Sequence, residues 1–204
     1  DTVPDFTADT TDGEISFHEW KAGSWAVFFS HPADFTPVCT TELGRTAALQ
    51  TEFANRNTKA MALSVDPIED HHGWAPDIGE VSGTALNFPI VADPDRTVAE
   101  LYDMIHPGEG DTSTVRSVFV IDPENKLRLS LTYPKSVGRN FDEIVRVLDA
   151  LQATDRAPIA TPADWKPGDR VIVSPGMSTE DAIERFENVE VVKPYLRFAD
   201  APSS

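Results

Sequence analysis

Ser30-His-Pro-Ala-Asp-Phe-Thr-Pro-Val-Cys-Thr-Thr-Glu-Leu-Gly44 is the stretch on which the reading of this chain turns. Before it, Trp25–Ser30 is an unbroken apolar and aromatic run, the pattern of a strand buried on both faces. After it, Leu43, Ala47, Gln50 and Phe53 fall at helical spacing in a segment expected to run from about Thr36 to Asn55. Thr36 followed by Pro37 suits a helix start: the hydroxyl accepts a backbone N–H, and proline gives up a donor that has no partner there. Cys39 then falls in the first helical turn, where unpaired N–H groups and the positive end of the helix dipole favour an anion. A thiol so placed ionises more readily, and the thiolate is the nucleophile.

Working outward, Ala60–Val65, Val115–Ile121 and Lys126–Thr132 read as further buried strands. Asp66-Pro67 opens a helix towards Ile78, and Asp95 to Tyr102 holds another. Phe141, Ile144, Val145, Leu148 and Leu151 form an amphipathic stripe. Strands alternating with helices predict an α/β sheet covered on both faces. The last two strands are separated only by Asp122-Pro-Glu-Asn125, turn chemistry that makes them an antiparallel hairpin and the sheet mixed. The periodic pattern ends near Ala153, and the proline-bearing segment Thr154–Pro167 reads as a connector. Beyond it lie a short strand at Arg170–Ser174, a helix at Ser178–Phe186 capped by Ser178 or Thr179, and a strand at Val189–Val192. This reading sets a main domain at residues 1–155 and a small α+β domain at 156–204.

The chain has 204 residues, with 17 Lys and Arg against 34 Asp and Glu and a net charge of −17. Such a surface repels phosphates and anionic head groups, which argues against nucleic acid as a partner. The excess acid serves solubility, and the preference for Arg over Lys is also what adaptation to high salt would produce. No stretch reaches the roughly 20 apolar residues of a membrane span. The cytoplasm is the expected compartment. A single cysteine, Cys39, allows no internal disulfide and no multi-cysteine metal site.

Arg116 shares a strand face with Val118 and Val120 by two-residue alternation. A buried arginine is costly unless it meets an anion, and a thiolate would satisfy it. Together with Pro32-Ala-Asp-Phe-Thr36-Pro-Val-Cys39, this resembles the peroxiredoxin active site. The Ser30-His31-Pro32 triplet, Thr40-Thr-Glu-Leu-Gly-Arg45, Tyr133-Pro, Gly138-Arg-Asn-Phe-Asp-Glu143 and Ala160-Thr-Pro-Ala-Asp-Trp-Lys-Pro-Gly-Asp169 are similar to the 1-Cys subfamily, peroxiredoxin six. The resemblance covers nearly the whole chain. It implies a thioredoxin-like fold with a mixed central sheet flanked by helices, followed by a small C-terminal dimerisation domain. It implies a thiol-dependent peroxidase in which Cys39 attacks a hydroperoxide, Thr36 contacts the peroxide, Pro32 shields the pocket, and Arg116 holds the thiolate and the peroxide oxygen. Glu42, Arg139 and His31 would support them, His31 by a hydrogen bond to sulfur. The resemblance brings no cofactor and no metal. An external thiol such as glutathione or thioredoxin would re-reduce Cys39, since a resolving cysteine is lacking, and the chain would form a homodimer or a larger ring.

Two other readings compete: a Cys–His hydrolase using Cys39 and His31, and a binding module with an idle thiol. A dithiol oxidoreductase is excluded by the cysteine count. The lipase-like positions Ser24, His18 and Glu124 depart from the expected pattern, and Ala22-Gly-Ser-Trp-Ala26 lacks the second glycine of a nucleophile elbow. His71-His72 are adjacent on a helix, diverge by about 100° and cannot chelate together, so they read as a solvated helix start.

Overall fold

The computed structural model describes residues 1–202, and the chain divides into two compact units, Asp1–Phe141 and Asp142–Ser204. The first unit holds β1 (Thr7–Thr10), β2 (Gly13–Ser16), α1 (Phe17–Lys21), β3 (Trp25–Ser30), α2 (Pro37–Ala48), α3 (Gln50–Ala54), β4 (Thr58–Ser64), α4 (Ile68–Ser82), β5 (Ile90–Ala92), α5 (Thr97–Leu101), β6 (Arg116–Ile121) and β7 (Leu127–Tyr133). Its strands form one mixed sheet of order β2-β1-β5-β4-β3-β6-β7. β3 runs parallel to β4 and antiparallel to β6, with β4 parallel to β5. All six residues of β3 are buried, which is why its sequence is a continuous apolar run rather than an alternating one. The expected β6–β7 hairpin is present, with Asp122 accepting the Glu124 and Lys126 N–H groups across the turn.

Three strands of this sheet escape the sequence reading. β2 is the edge strand and β1 lies next to it; their sequences, Gly-Glu-Ile-Ser and Thr-Ala-Asp-Thr, have too little apolar pattern to announce a strand, and β5 spans only three residues. The helix expected from Thr36 to Asn55 is two helices, broken where Leu49 leaves helical geometry at φ −90° and ψ 6°. α2 and α4 approach closely at Gly44, where a Cβ would stand 2.5 Å from the Ser82 Cβ, so only glycine fits. An aromatic cluster of Phe17, Phe28 and Tyr102 fills one face of the sheet, with Phe6 stacked on Phe17 at 4.9 Å.

The second unit begins in the long helix α6 (Phe141–Arg156), which the sequence pattern assigns to the main domain. It continues with β8 (Ile159–Ala160), β9 (Val171–Val173), α7 (Thr179–Arg185), β10 (Glu190–Lys193) and β11 (Leu196–Ala199). These strands form an antiparallel sheet of order β10-β11-β9-β8 over a core of Ile159, Trp165, Val171, Val173, Ala182, Phe186 and Ala199. The motif from Trp165 to Asp169 closes on itself: the indole N–H donates to the Asp169 carbonyl at 3.1 Å, and the Asp169 carboxylate accepts the Lys166 N–H at 2.9 Å. Ser178 caps α7 by accepting the Asp181 N–H at 3.0 Å.

Candidate active site

The site forms where β3 gives way to α2. β3 ends at Ser30, residues 31–36 make a loop, and Pro37 begins the helix that carries Cys39 in its first turn. Because Phe29 pairs with Val118 on antiparallel β6, Arg116 lies level with the start of that loop. Two-residue alternation turns its side chain to the same face as Val118 and Val120.

Cys39 is fully buried. Arg116 donates from Nη1 to Cys39 Sγ at 3.3 Å, from the same nitrogen to Glu42 Oε2 at 2.7 Å, and from Nε to the Lys135 carbonyl at 2.8 Å. Glu42, one turn along α2 from Cys39, is in turn gripped by Arg139. The Arg139 Nη2 donates to Oε2 at 2.7 Å, and its Nε and backbone N–H donate to Oε1 at 2.9 and 2.8 Å. Arg139 also donates from Nη1 to the carbonyls of Ser30 and Ser117, stapling β3 to β6, and its guanidinium lies 4.9 Å from the Phe29 ring centre. Burial pushes the Glu42 carboxyl up, but the Arg139 hydrogen bonds and the two guanidinium charges outweigh it and hold Glu42 below its ordinary value. One carboxylate and two guanidiniums leave one net positive charge beside a buried sulfur. A thiolate at Cys39 neutralises it, the arrangement a buried charge needs.

Thr36 differs from its expected role. It is the residue before α2, but its side chain caps nothing; the hydroxyl donates to the Ala33 carbonyl at 2.7 Å. With its proton committed, the oxygen has only lone pairs to offer. Pro32 is half-buried in the same loop.

His31 also departs from expectation. Its Nε2 bonds Asp34 Oδ1 at 2.8 Å, its Nδ1 has no partner, and it makes no hydrogen bond to sulfur. Burial pulls its pKa below the ordinary value, with Asp34 acting in the opposite sense. The pairing a Cys–His hydrolase requires is therefore lacking. His71 corrects the sequence reading further: far from solvated, it is fully buried, bonding Asp34 Oδ2 through Nδ1 and the Val91 carbonyl through Nε2, while His72 is exposed. Asp34 and His71 were missed because 37 residues separate them. The only hint was that Asp34 lies inside the motif. Atoms of His31, Asp34 and Asp66 lie within 4.8 Å of one another, a spacing a metal ion can use. Hydrogen bonds already engage that set, however: Asp34 holds His31, while Asp66 accepts the Asp34 N–H at 3.0 Å and the Ser64 hydroxyl at 2.6 Å. Ser24 is buried with its hydroxyl on the Lys21 carbonyl at 2.6 Å, so it forms no dyad with His18.

Comparison with known proteins identifies the family. Residues 1–130 match the AhpC/TSA family, and residues 150–188 match the C-terminal domain of 1-Cys peroxiredoxin. The chain is 50% identical over 204 residues to the 1-Cys peroxiredoxin of Dictyostelium discoideum, covering 100% of this chain and 85% of that protein. The crystal structure of a cysteine-to-serine mutant of peroxiredoxin 6 from Arenicola marina superposes with a TM-score of 0.95 at 46% identity, covering 100% of this chain and 98% of that one. A structure of the yeast mitochondrial 1-Cys peroxiredoxin, concerned with thiol resolution through glutathione/thioredoxin systems, gives 0.93 at 48% identity, over 98% and 97%. No helix among the described residues is long and apolar enough to cross a membrane. The chain belongs to the 1-Cys peroxiredoxins and is a thiol-dependent peroxidase with a single cysteine.

Proposed function

We propose that Cys39 is the peroxidatic nucleophile, that Thr36, Arg116 and Pro32 complete the catalytic set, and that Glu42, Arg139 and His31 support it. The observation that carries this reading is the Arg116 guanidinium shared between Cys39 Sγ at 3.3 Å and Glu42 at 2.7 Å. The thiolate attacks one peroxide oxygen, the S–O bond forms as the O–O bond breaks, and the departing oxygen takes up a proton to leave as water or an alcohol. Arg116 stabilises the charge that develops on the oxygens. The Thr36 hydroxyl accepts from the peroxide O–H and so aligns the attack. Pro32 keeps water from the loop side.

Cys39 is left as a sulfenic acid with no second thiol in the chain to resolve it. An external thiol restores it: glutathione or thioredoxin, the systems through which the yeast relative's thiol is resolved. No resident cofactor or metal takes part. Dependence on a thiol pool fits a reducing compartment, and we place the chain in the cytoplasm. We propose a homodimer, supported by the exposed apolar side chains of the second unit, Ile183, Val191, Val192 and Tyr195. Hydrogen peroxide consumption with dithiothreitol as reductant tests the assignment. The wild type turns over, Cys39→Ser does not, and turnover by Cys39→Ser would refute it.

A further inference from the structure

Asp34 stands midway along the loop that carries Pro32 and Thr36, with its carboxylate fully buried. Each of its oxygens accepts from an imidazole: Oδ1 from His31 Nε2 at 2.8 Å and Oδ2 from His71 Nδ1 at 2.5 Å. Its backbone N–H donates to Asp66 just beyond β4 at 3.0 Å, and the far side of the His71 ring meets the β5 carbonyl of Val91 at 3.0 Å. Both nitrogens of His71 therefore face oxygen acceptors. The ring is thereby tied at one end to the loop and at the other to β5. Burial pushes Asp34 up, but the two imidazoles outweigh it and hold the carboxyl at about 2. The result is a buried hydrogen-bonded bridge joining α4 to the loop. The charges of the Cys39 cluster are met elsewhere, by Glu42, Arg116 and Arg139.

What the pair holds is a strained turn. Phe35 has φ 55° and is 57% exposed. A bulky side chain in the left-handed region persists only where its surroundings over-determine the backbone. Its ring lies 6.4 Å from that of Trp74, and hydrogen bonds hold the backbone on either side. The residue before it is fixed by His31, His71 and Asp66, and the residue after it is fixed by the Thr36–Ala33 hydrogen bond.

We propose that His71 and Asp34 are positioning residues of the peroxidase: their buried pair clamps the left-handed turn at Phe35 and so sets where the Thr36 hydroxyl and the Pro32 ring stand relative to Cys39. The inference rests on the roles given above to Cys39, Thr36 and Pro32. It makes α4, which supplies no atom to the reaction, part of the alignment of the peroxide.

The test compares two reactions of the same sulfur in the wild type, His71→Gln, Asp34→Asn and the double variant. Sulfenic acid formation with hydrogen peroxide needs the aligned loop, whereas alkylation by iodoacetamide needs only the thiolate. Each single variant slows peroxide oxidation by about a hundredfold, the order of an ångström-scale misplacement, without slowing alkylation. The double variant is no slower than either single one, because the two residues act as one unit. A wild-type peroxide rate in His71→Gln overturns the proposal, and so does an equal fall in both reactions, which would place the effect on the thiolate rather than on the alignment of the peroxide. Nitrogen-15 spectra of the wild type decide independently of how the variants fold: a His71 Nδ1 hydrogen-bonded to the Asp34 carboxylate supports the clamp, and a His71 Nδ1 without that bond overturns it. If wild-type Cys39 itself reacts with peroxide no faster than a free thiol, the assignment of Cys39 fails first, a result distinct from any failure of the clamp.

Discussion

Arg116 and Cys39 are 77 residues apart in sequence and 3.3 Å apart at Nη1 and Sγ. The contact is held from behind, because the nitrogen that faces sulfur also binds Glu42, and Glu42 is fixed by three donors of Arg139. Arg116 therefore cannot swing away when a peroxide arrives. Arg116→Met keeps the packing length but removes the donor. It slows peroxide reduction by at least about a hundredfold, the loss typical of one oxyanion-stabilising donor. A stopped-flow measurement of sulfenic acid formation checks this, and an unchanged rate contradicts the role of Arg116.

Glu42 answers for stability as well as alignment. Glu42→Gln leaves two buried guanidiniums without their counter-charge and costs about 3–5 kcal/mol, read from urea unfolding at pH 7. The folded carboxyl lies below its ordinary 4.5, so the unfolded chain takes up the proton first as pH falls. Glu42 thus contributes stability that is complete above pH 4.5 and is lost as pH falls through the lower, folded value. The gap between wild type and Glu42→Gln narrows below pH 4.5. A gap that widened there would show that Glu42 is not the ionised partner.

Thr36→Val preserves the branched shape of the side chain and deletes the oxygen. The Ala33 carbonyl loses its donor and the peroxide loses its acceptor. Peroxide oxidation falls by roughly tenfold to a hundredfold, on the scale of a lost aligning contact, and Thr36→Ser recovers most of it. Failure of serine to rescue would place the effect in the backbone rather than the hydroxyl.

The second unit exposes Tyr195 at 78%, Val191 at 51% and Val192 at 46%, all on or beside the β10–β11 hairpin. If they are covered in a homodimer, replacing Val191 and Val192 together by glutamate shifts sedimentation from dimer to monomer while leaving the first unit's circular dichroism intact. A wild type that sediments as a monomer removes the dimer from the account.

The sequence was informative where one residue's neighbours in the chain are also its neighbours in space. The buried run of β3, the helix start at Pro37 and the strand alternation of Arg116 all follow from local pattern, and they suffice to bring Cys39 and Arg116 together. The roles of Glu42 and Arg139 came from resemblance, because no local rule links positions 97 residues apart. The Asp34–His71 pair lay beyond both approaches: a histidine at a helix start looks solvated until the Asp34 loop and β5 meet its two ring nitrogens. Thr36 shows the same limit at short range, since its residue type suits a cap, yet the turn at Phe35 leads its hydroxyl to Ala33 instead. β1 and β2 were silent because four-residue strands with mostly polar or exposed side chains carry little apolar pattern.

The most direct test of the central claim is the intact mass of the protein after one equivalent of hydrogen peroxide, with no reductant present. The chain has no second thiol with which a sulfenic acid at Cys39 can condense. The predicted result is a gain of one oxygen, trapped by dimedone and located on the peptide that contains Cys39, with further oxygens added there by excess peroxide. A disulfide-linked dimer as the main product would contradict it, since Cys39 would then be resolved between subunits rather than by an external thiol.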